Sequence, residues 1–153
     1  MRPTTSRILI DTNIPVYAAG RPHALRAPAR FVLELAARKS SAFFTDAEVL
    51  QELLHRYLAL RMWDRFRSRF DAFAALMSGR VEPVLADDVQ GAGALADRYQ
   101  RLSARDLVHI AVMQRVGSTR IVSADAGFDL VAEIERLDPA HVDEWAPTVA
   151  TAG

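Results

Sequence analysis

The spacing of apolar residues along the chain changes repeatedly, and each change marks an element. Arg7-Ile8-Leu9-Ile10-Asp11 is a short β-branched and apolar run that stops at a carboxylate. That is the pattern of a buried strand delivering an acid to its C-terminal edge. Asn13 to Ala19 suits a short helix before the Gly20-Arg21-Pro22 break, and Pro28 fits the first turn of a helix running to about Lys39. Ala42-Phe43-Phe44-Thr45 reads as a second strand. Thr45 or Asp46 caps a helix whose apolar positions Val49, Leu50, Leu53, Leu54, Tyr57 and Leu58 follow helical spacing. Another helix covers about Met62 to Met77 and ends at Ser78-Gly79, and Val81 to Leu85 gives a third strand, with Pro83 favouring an edge or a strand start. Asp87-Asp88 opens a helix to about Arg101, Ser103 caps the next through Val116, and Gly117 stops it. Thr119 to Ser123 is a fourth strand and Ile134 to Leu137 a fifth. After Pro139 the pattern decays, and Thr148 to Gly153 reads as a loose tail.

Strands alternating with helices predict a parallel sheet covered on both faces. The fold class is α/β, a three-layer α/β/α arrangement around a short, mostly parallel sheet of four to five strands. Without internal repeats or linkers, residues 1–140 form one domain and 141–153 a C-terminal tail. In such sheets the ligand site lies outside the carboxyl ends of the strands, which is where Asp11 and Asp125 fall.

Composition narrows the function classes. A chain of 153 residues, 50% hydrophobic, holds a real core without staples. It has no cysteine, which excludes disulfides, thiol catalysis and cysteine-based zinc sites. No apolar run approaches the ~20 residues of a membrane span, and the N-terminus lacks a signal-like stretch, so a cytoplasmic protein without a membrane partner is expected. Formal charge is zero, which excludes a generally polycationic surface. Charge is nevertheless uneven: residues 1–39 carry seven basic and two acidic side chains, and 123–144 carry seven acidic and one basic.

Asp11 and Asp125 each follow a strand, and parallel strands share one C-terminal edge, so the fold can bring them together. Clustered carboxylates are tolerated when a divalent cation neutralises them or when one keeps its proton. With no cysteine and four scattered histidines, an all-oxygen site for Mg²⁺ or Mn²⁺ is the natural candidate. Glu48 and Glu52 lie one turn apart on one helix face, Glu52 among leucines, and Asp106 lies in the first turn of a very apolar helix. Each acid alone has a bland reading as a cap or a solvated side chain; four spread through a strand–helix alternation are harder to dismiss.

Asp11-Thr12-Asn13, Thr45 through Leu53, Arg105-Asp106-Leu107-Val108-His109-Ile110-Ala111 and Ser123-Ala124-Asp125-Ala126-Gly127-Phe128 resemble, in order, the four signature regions of PIN-domain nucleases. Within that superfamily the compact form and the ending Ile134-Glu135-Arg136-Leu137-Asp138-Pro139 are similar to VapC-type toxins of bacterial toxin–antitoxin pairs. The resemblance implies a metal-dependent endoribonuclease that hydrolyses RNA with a metal-activated water, leaving 5′-phosphate and 3′-hydroxyl ends. It also implies a cognate antitoxin and a homodimer. Asp11, Glu52, Asp106 and Asp125 match the catalytic and metal-binding acids, and Asn13 and Ser123 match polar supports; Ser123 stands where the family more often has threonine. Asp129 is a candidate supplement to Asp125. The non-enzymatic alternative is an idle PIN domain that binds RNA or protein.

His109, three residues after Asp106, and His55, three after Glu52, are candidate neighbours of the site or core-edge residues. A two-histidine ribonuclease would leave four acids unexplained. A haloacid-dehalogenase phosphatase would need a second aspartate where Asn13 stands, and a receiver domain a late lysine where none occurs. Arg56, Arg61, Arg65, Arg67 and Arg69 against Asp64 give a net +4 stretch, with Arg61, Arg65 and Arg69 on one helical face as candidate contacts for RNA or for an acidic antitoxin segment. Trp63, Phe66, Phe70 and Phe73 interleave at helical spacing as a core or dimer stripe.

Overall fold

The computed structural model describes residues 6–149. Its strands are β1 (Ile8–Ile10), β2 (Phe43–Asp46), β3 (Val81–Glu82), β4 (Arg120–Val122) and β5 (Glu135–Leu137). The helices are α1 (Asn13–Ala19), α2 (Arg26–Arg38), α3 (Ala47–Ala59), α4 (Trp63–Leu76), α5 (Ala86–Arg98), α6 (Ala104–Val116) and α7 (Val142–Trp145). The strands form one sheet in the order β3-β2-β1-β4-β5, and every pairing is parallel.

Alternation along the strands explains the three layers. Ile8 and Ile10 join Phe43, Val122 and Leu137 in one apolar cluster with α1 to α4, whereas Leu9, Phe44 and Ile121 join a second cluster with α5 and α6. Successive side chains point to opposite faces, so a strand of three apolar residues must be covered on both. The chain leaves central β1 toward β2 on one side and returns to β4 on the other. This reversal opens a crevice at the carboxyl ends of β1 and β4.

Local signals set the helix starts that frame this crevice. Asp46 caps α3 by accepting a hydrogen bond from the Val49 N–H at 2.9 Å, and Ser103 caps α6 by accepting from the Asp106 N–H at 3.2 Å. Thr45 is not the cap: its hydroxyl donates to the Ile10 carbonyl at 3.0 Å, tying β2 to β1. Gly117 stops α6 at φ +75°, in the left-handed region open to glycine.

The structure differs from the sequence pattern in three places. The third strand is only Val81–Glu82, since Pro83 has no N–H to continue a ladder. Arg61 is not on the α4 face with Arg65 and Arg69; it sits in the turn before α4, at φ +55°. Beyond Pro139 the chain does not trail off within the described residues. Val142, Trp145 and Val149 are buried in the cluster on the α1–α4 side, Trp145 Nε1 donates to the Asp138 carbonyl at 2.8 Å, and Lys39 Nζ donates to the Val149 carbonyl at 3.1 Å. The turns there are too short to show a period in sequence; of the loose tail expected from Thr148 to Gly153, Thr148 and Val149 are held, Thr148 Oγ1 donating to the Trp145 carbonyl at 2.6 Å, and 150–153 lie outside the described residues.

Candidate active site

Asp11, the residue after β1, lies 4% exposed at the centre of the crevice. Oδ1 accepts from the Thr12 N–H at 2.7 Å, and Oδ2 accepts from the Ser123 hydroxyl at 2.6 Å and from Asn13 Nδ2 at 3.2 Å. Asn13 also donates to Ser123 Oγ at 3.0 Å and accepts from the Ala124 N–H at 3.1 Å. Asn13 and Ser123 thus bind the β1 and β4 ends together around one carboxylate. Burial pushes the Asp11 pKa up despite these donors and the nearby His109.

Glu52 is carried by α3 to the same point. The Thr12 hydroxyl donates to Oε2, and Arg105 lies 3.0 Å from Oε1. Burial raises its pKa, but the His109 imidazole, the Thr12 donor and the Arg105 guanidinium outweigh this and hold it below the usual range. Asp106, in the first turn of α6, is raised to about 6 by burial and then by the charges of Asp11 and Asp125. A carboxyl held this high by burial first and by two neighbouring acids second is one whose ionised form a nearby cation would favour.

Asp11, Glu52, Asp106 and Asp125 line one cavity of about 450 Å³, with Asn13, His55, Arg56 and Arg105 at its walls. Ser123 is fully buried beneath it, its Oγ accepting from the Asp125 N–H at 3.0 Å. Glu48 is half-buried on α3 and does not line the cavity. Burial raises its pKa, as do Glu52 and Asp46, while His109 and Arg105 oppose the shift. Asp129, the candidate supplement to Asp125, does not line this cavity and instead makes a two-pronged pair with Arg136, at 3.0 and 3.1 Å. Arg136 in turn donates to the Ser123 carbonyl at 3.1 Å, bracing the end of β4.

His109 is fully buried one turn below Asp106. Nδ1 lies 2.7 Å from Asp46 Oδ2, whereas Nε2 has no hydrogen-bond partner and faces Asp11 Oδ1 at 3.7 Å and Glu52 Oε2 at 3.8 Å. Burial disfavours a charged imidazole, yet Asp46, Glu52 and Asp11 outweigh it and hold the pKa well above the ordinary histidine value. A candidate ligand atom from each of Asp11, Glu52 and His109 lies within 4.8 Å of the other two. The sequence marks Asp46 only as a cap and carries no sign of its second oxygen's partner, nor of Thr12 and Arg105 as partners of Glu52. These partners join residues 63 positions apart or on separate elements, and only an acid next to a strand end hinted at one of them.

A switch-point crevice lined by carboxylates from a strand end, two helices and a strand–helix turn defines an α/β domain built around a cation-hungry acidic centre. The chain belongs to the PIN domain family, whose match covers residues 8–134. It is 43% identical over 130 residues to Ribonuclease VapC13 of Mycobacterium tuberculosis, covering 85% of this chain and 98% of the relative. Ribonuclease VapC7 of the same organism is 34% identical over 139 residues, covering 86% and 91%. Among solved structures, FitAcB from Neisseria gonorrhoeae aligns with a TM-score of 0.66 at 19% identity, covering 88% of this chain and 99% of that one. VapBC2 from Rickettsia felis, bound to a DNA fragment from its promoter, aligns at 0.65 and 19%, covering 86% and 98%. These confirm the parallel α/β/α fold.

Proposed function

We propose that this protein is a divalent-metal-dependent endoribonuclease and the toxin of a toxin–antitoxin pair. The observation that carries the reading is the convergence of Asp11, Glu52, Asp106 and Asp125 on one cavity. The relatives named as ribonucleases and the structural neighbours that include a toxin–antitoxin complex support it. The donor set fits a hard cation: carboxylate oxygens predominate, and the raised Asp106 and the orphaned His109 Nε2 mark a cluster whose charges are unbalanced.

Asp11, Glu52, Asp106 and Asp125 would hold Mg²⁺ or Mn²⁺, which when bound supplies polarisation of the phosphodiester and a water of lowered pKa. The other roles belong to the chain itself. Asn13 and Ser123 fix the Asp11 oxygens, Thr12 and Arg105 fix Glu52, and Asp106, raised to about 6, is the acid whose ionised form a bound cation would favour. No protein nucleophile is needed, and the family resemblance implies 5′-phosphate and 3′-hydroxyl ends. A cognate antitoxin, a homodimer and a cytoplasmic location complete the proposal. Trp63, Phe66 and Phe70 pack partly against the core, and Phe73 is buried in it, so the aromatic stripe gives little support to the dimer. No helix of the described residues is long and apolar enough to cross a membrane.

The test is cleavage of RNA by the purified protein with Mg²⁺, with Mn²⁺ and with excess EDTA, beside Asp106→Asn. Cleavage abolished by chelator and by the variant, with 5′-phosphate products, is expected. Full cleavage in EDTA or 2′,3′-cyclic phosphate ends would overturn the metal mechanism, and RNA or protein binding without cleavage would favour the idle module.

A further inference from the structure

Arg105 lines the acidic cavity together with all four acids. It stands in the first turn of α6, immediately before Asp106, and reaches across to α3, where its Nε lies 3.0 Å from Glu52 Oε1. A permanent positive charge is therefore built into the wall of a site otherwise dominated by carboxylates.

The way this chain's arginines spend their donors separates Arg105 from those that brace the fold. A guanidinium carries five N–H donors in one rigid plane. Arg136 uses all three of its nitrogens: Nε and Nη2 donate to the two Asp129 oxygens at 3.0 and 3.1 Å, and Nη1 donates to the Ser123 carbonyl at 3.1 Å. Arg115 places Nε on Asp88 at 2.9 Å and Nη2 on the Pro83 carbonyl at 2.8 Å. These two side chains are 13% and 30% exposed. The Arg105 side chain is 49% exposed, and among the described residues its terminal nitrogens have no acceptor within the chain. Anchored through Nε, it keeps its terminal N–H groups for whatever enters the cavity. Those groups suit an anion with two oxygens side by side, and phosphate oxygens match the guanidinium fork two at a time.

We propose that Arg105 is a catalytic residue whose terminal nitrogens grip the non-bridging oxygens of the scissile phosphodiester while its Nε stays on Glu52. The inference rests on the nuclease reading for the identity of the substrate. A phosphodiester is an anion that four carboxylates repel, and a guanidinium on the cavity wall offsets part of that repulsion. Negative charge on the phosphate oxygens grows in the transition state, and a donor already fixed in place stabilises it without reorganising. The guanidinium keeps its charge throughout and neither gives nor takes a proton. Serving Glu52 and a phosphate at once requires the planar fork, which a lysine ammonium lacks.

The experiment pairs kinetics with metal binding. The substrate is a pool of 5′-fluorescein-labelled, random-sequence RNA 12-mers at saturating Mn²⁺; Mn²⁺ affinity is read separately, without RNA, by electron paramagnetic resonance. Every variant is checked by circular dichroism. Arg105→Ala should lower kcat about 100-fold or more, with a much smaller change in KM. It should bind Mn²⁺ as tightly as the parent or more tightly, because a cation has left the acids. Arg105→Lys, which keeps the charge but not the fork, should recover less than about a tenth of the parent kcat. Added guanidinium ion should raise the kcat of Arg105→Ala and leave that of Glu52→Gln unchanged. Arg98→Ala, on α5 and paired with Glu133, should match the parent in both measurements. Parent-like cleavage by Arg105→Ala or by Arg105→Lys would overturn the proposal and leave the nuclease reading intact. So would a loss that follows weakened Mn²⁺ binding and disappears as Mn²⁺ is raised, since Arg105 would then serve Glu52 alone. A parent protein that leaves both the pool and total cellular RNA uncut with Mg²⁺ and with Mn²⁺ removes the nuclease reading itself, and the proposal with it.

Discussion

Breaking the His109–Asp46 pair tests how the protein tolerates its acidic centre. Both side chains are fully buried, 2.7 Å apart, and the same imidazole faces Asp11 and Glu52. His109→Leu keeps roughly the volume but removes the one positive group beneath these carboxylates. Asp46 then retains only its capping bond from the Val49 N–H. Leaving a buried charge without its partner costs about 3–5 kcal/mol. At ~3 °C per kcal/mol for a domain of this size, Tm should fall by about 9–15 °C. The raised pKa of His109 means that its contribution is fully present below the ordinary histidine pKa and fades as pH rises through the folded value. The gap between parent and variant should therefore be widest in acid and narrow in alkali. The assay is thermal unfolding in EDTA between pH 6 and 9, with Asp46→Ala/His109→Leu closing a double-mutant cycle. A His109→Leu Tm within 2 °C of the parent, or strictly additive effects in the cycle, would refute the reasoning.

Glu52→Gln should lower RNA cleavage at least about tenfold, or ~1.4 kcal/mol of transition-state stabilisation, while Glu48→Gln, off the cavity wall, should act only on stability or metal affinity; saturating-Mg²⁺ kinetics of both variants decide this. Asp106, raised to about 6 in the folded state, contributes stability that is present below its unfolded pKa near 3.8 and lost as pH rises through about 6. Metal-free parent should therefore lose Tm across that window, and Asp106→Asn should lose less and be as firm or firmer at pH 7. Asp11→Asn lacks that benefit, because Asp11 anchors Ser123 and Asn13. Mg²⁺ or Mn²⁺ at ~100 times its dissociation constant should add about 2.7 kcal/mol to the parent, read as a Tm rise that Asp106→Asn largely lacks. Trp145→Ala should cost about 3–5 kcal/mol, showing by denaturant unfolding that the chain beyond Pro139 belongs to the core.

The sequence alone determined the alternation of strands and helices, because periods of 2 and 3.6 survive in any chain whose elements bury one face or two. It also determined the acids at the strand ends and helix starts, because Asp11 and Asp125 stand where apolar runs stop, and Glu52 lies beyond the free N–H groups that explain Glu48. The tertiary structure decided the rest. Which acids share a cavity depends on β1 pairing with β4 across more than a hundred residues, a register set by Ile8 to Ile10 against Arg120 to Val122. The second role of Asp46, the burial of His109, the turning of Asp129 onto Arg136 and the docking of Trp145 leave no period in the chain. Each depends on one long-range pairing, and a single pairing has no spacing to read.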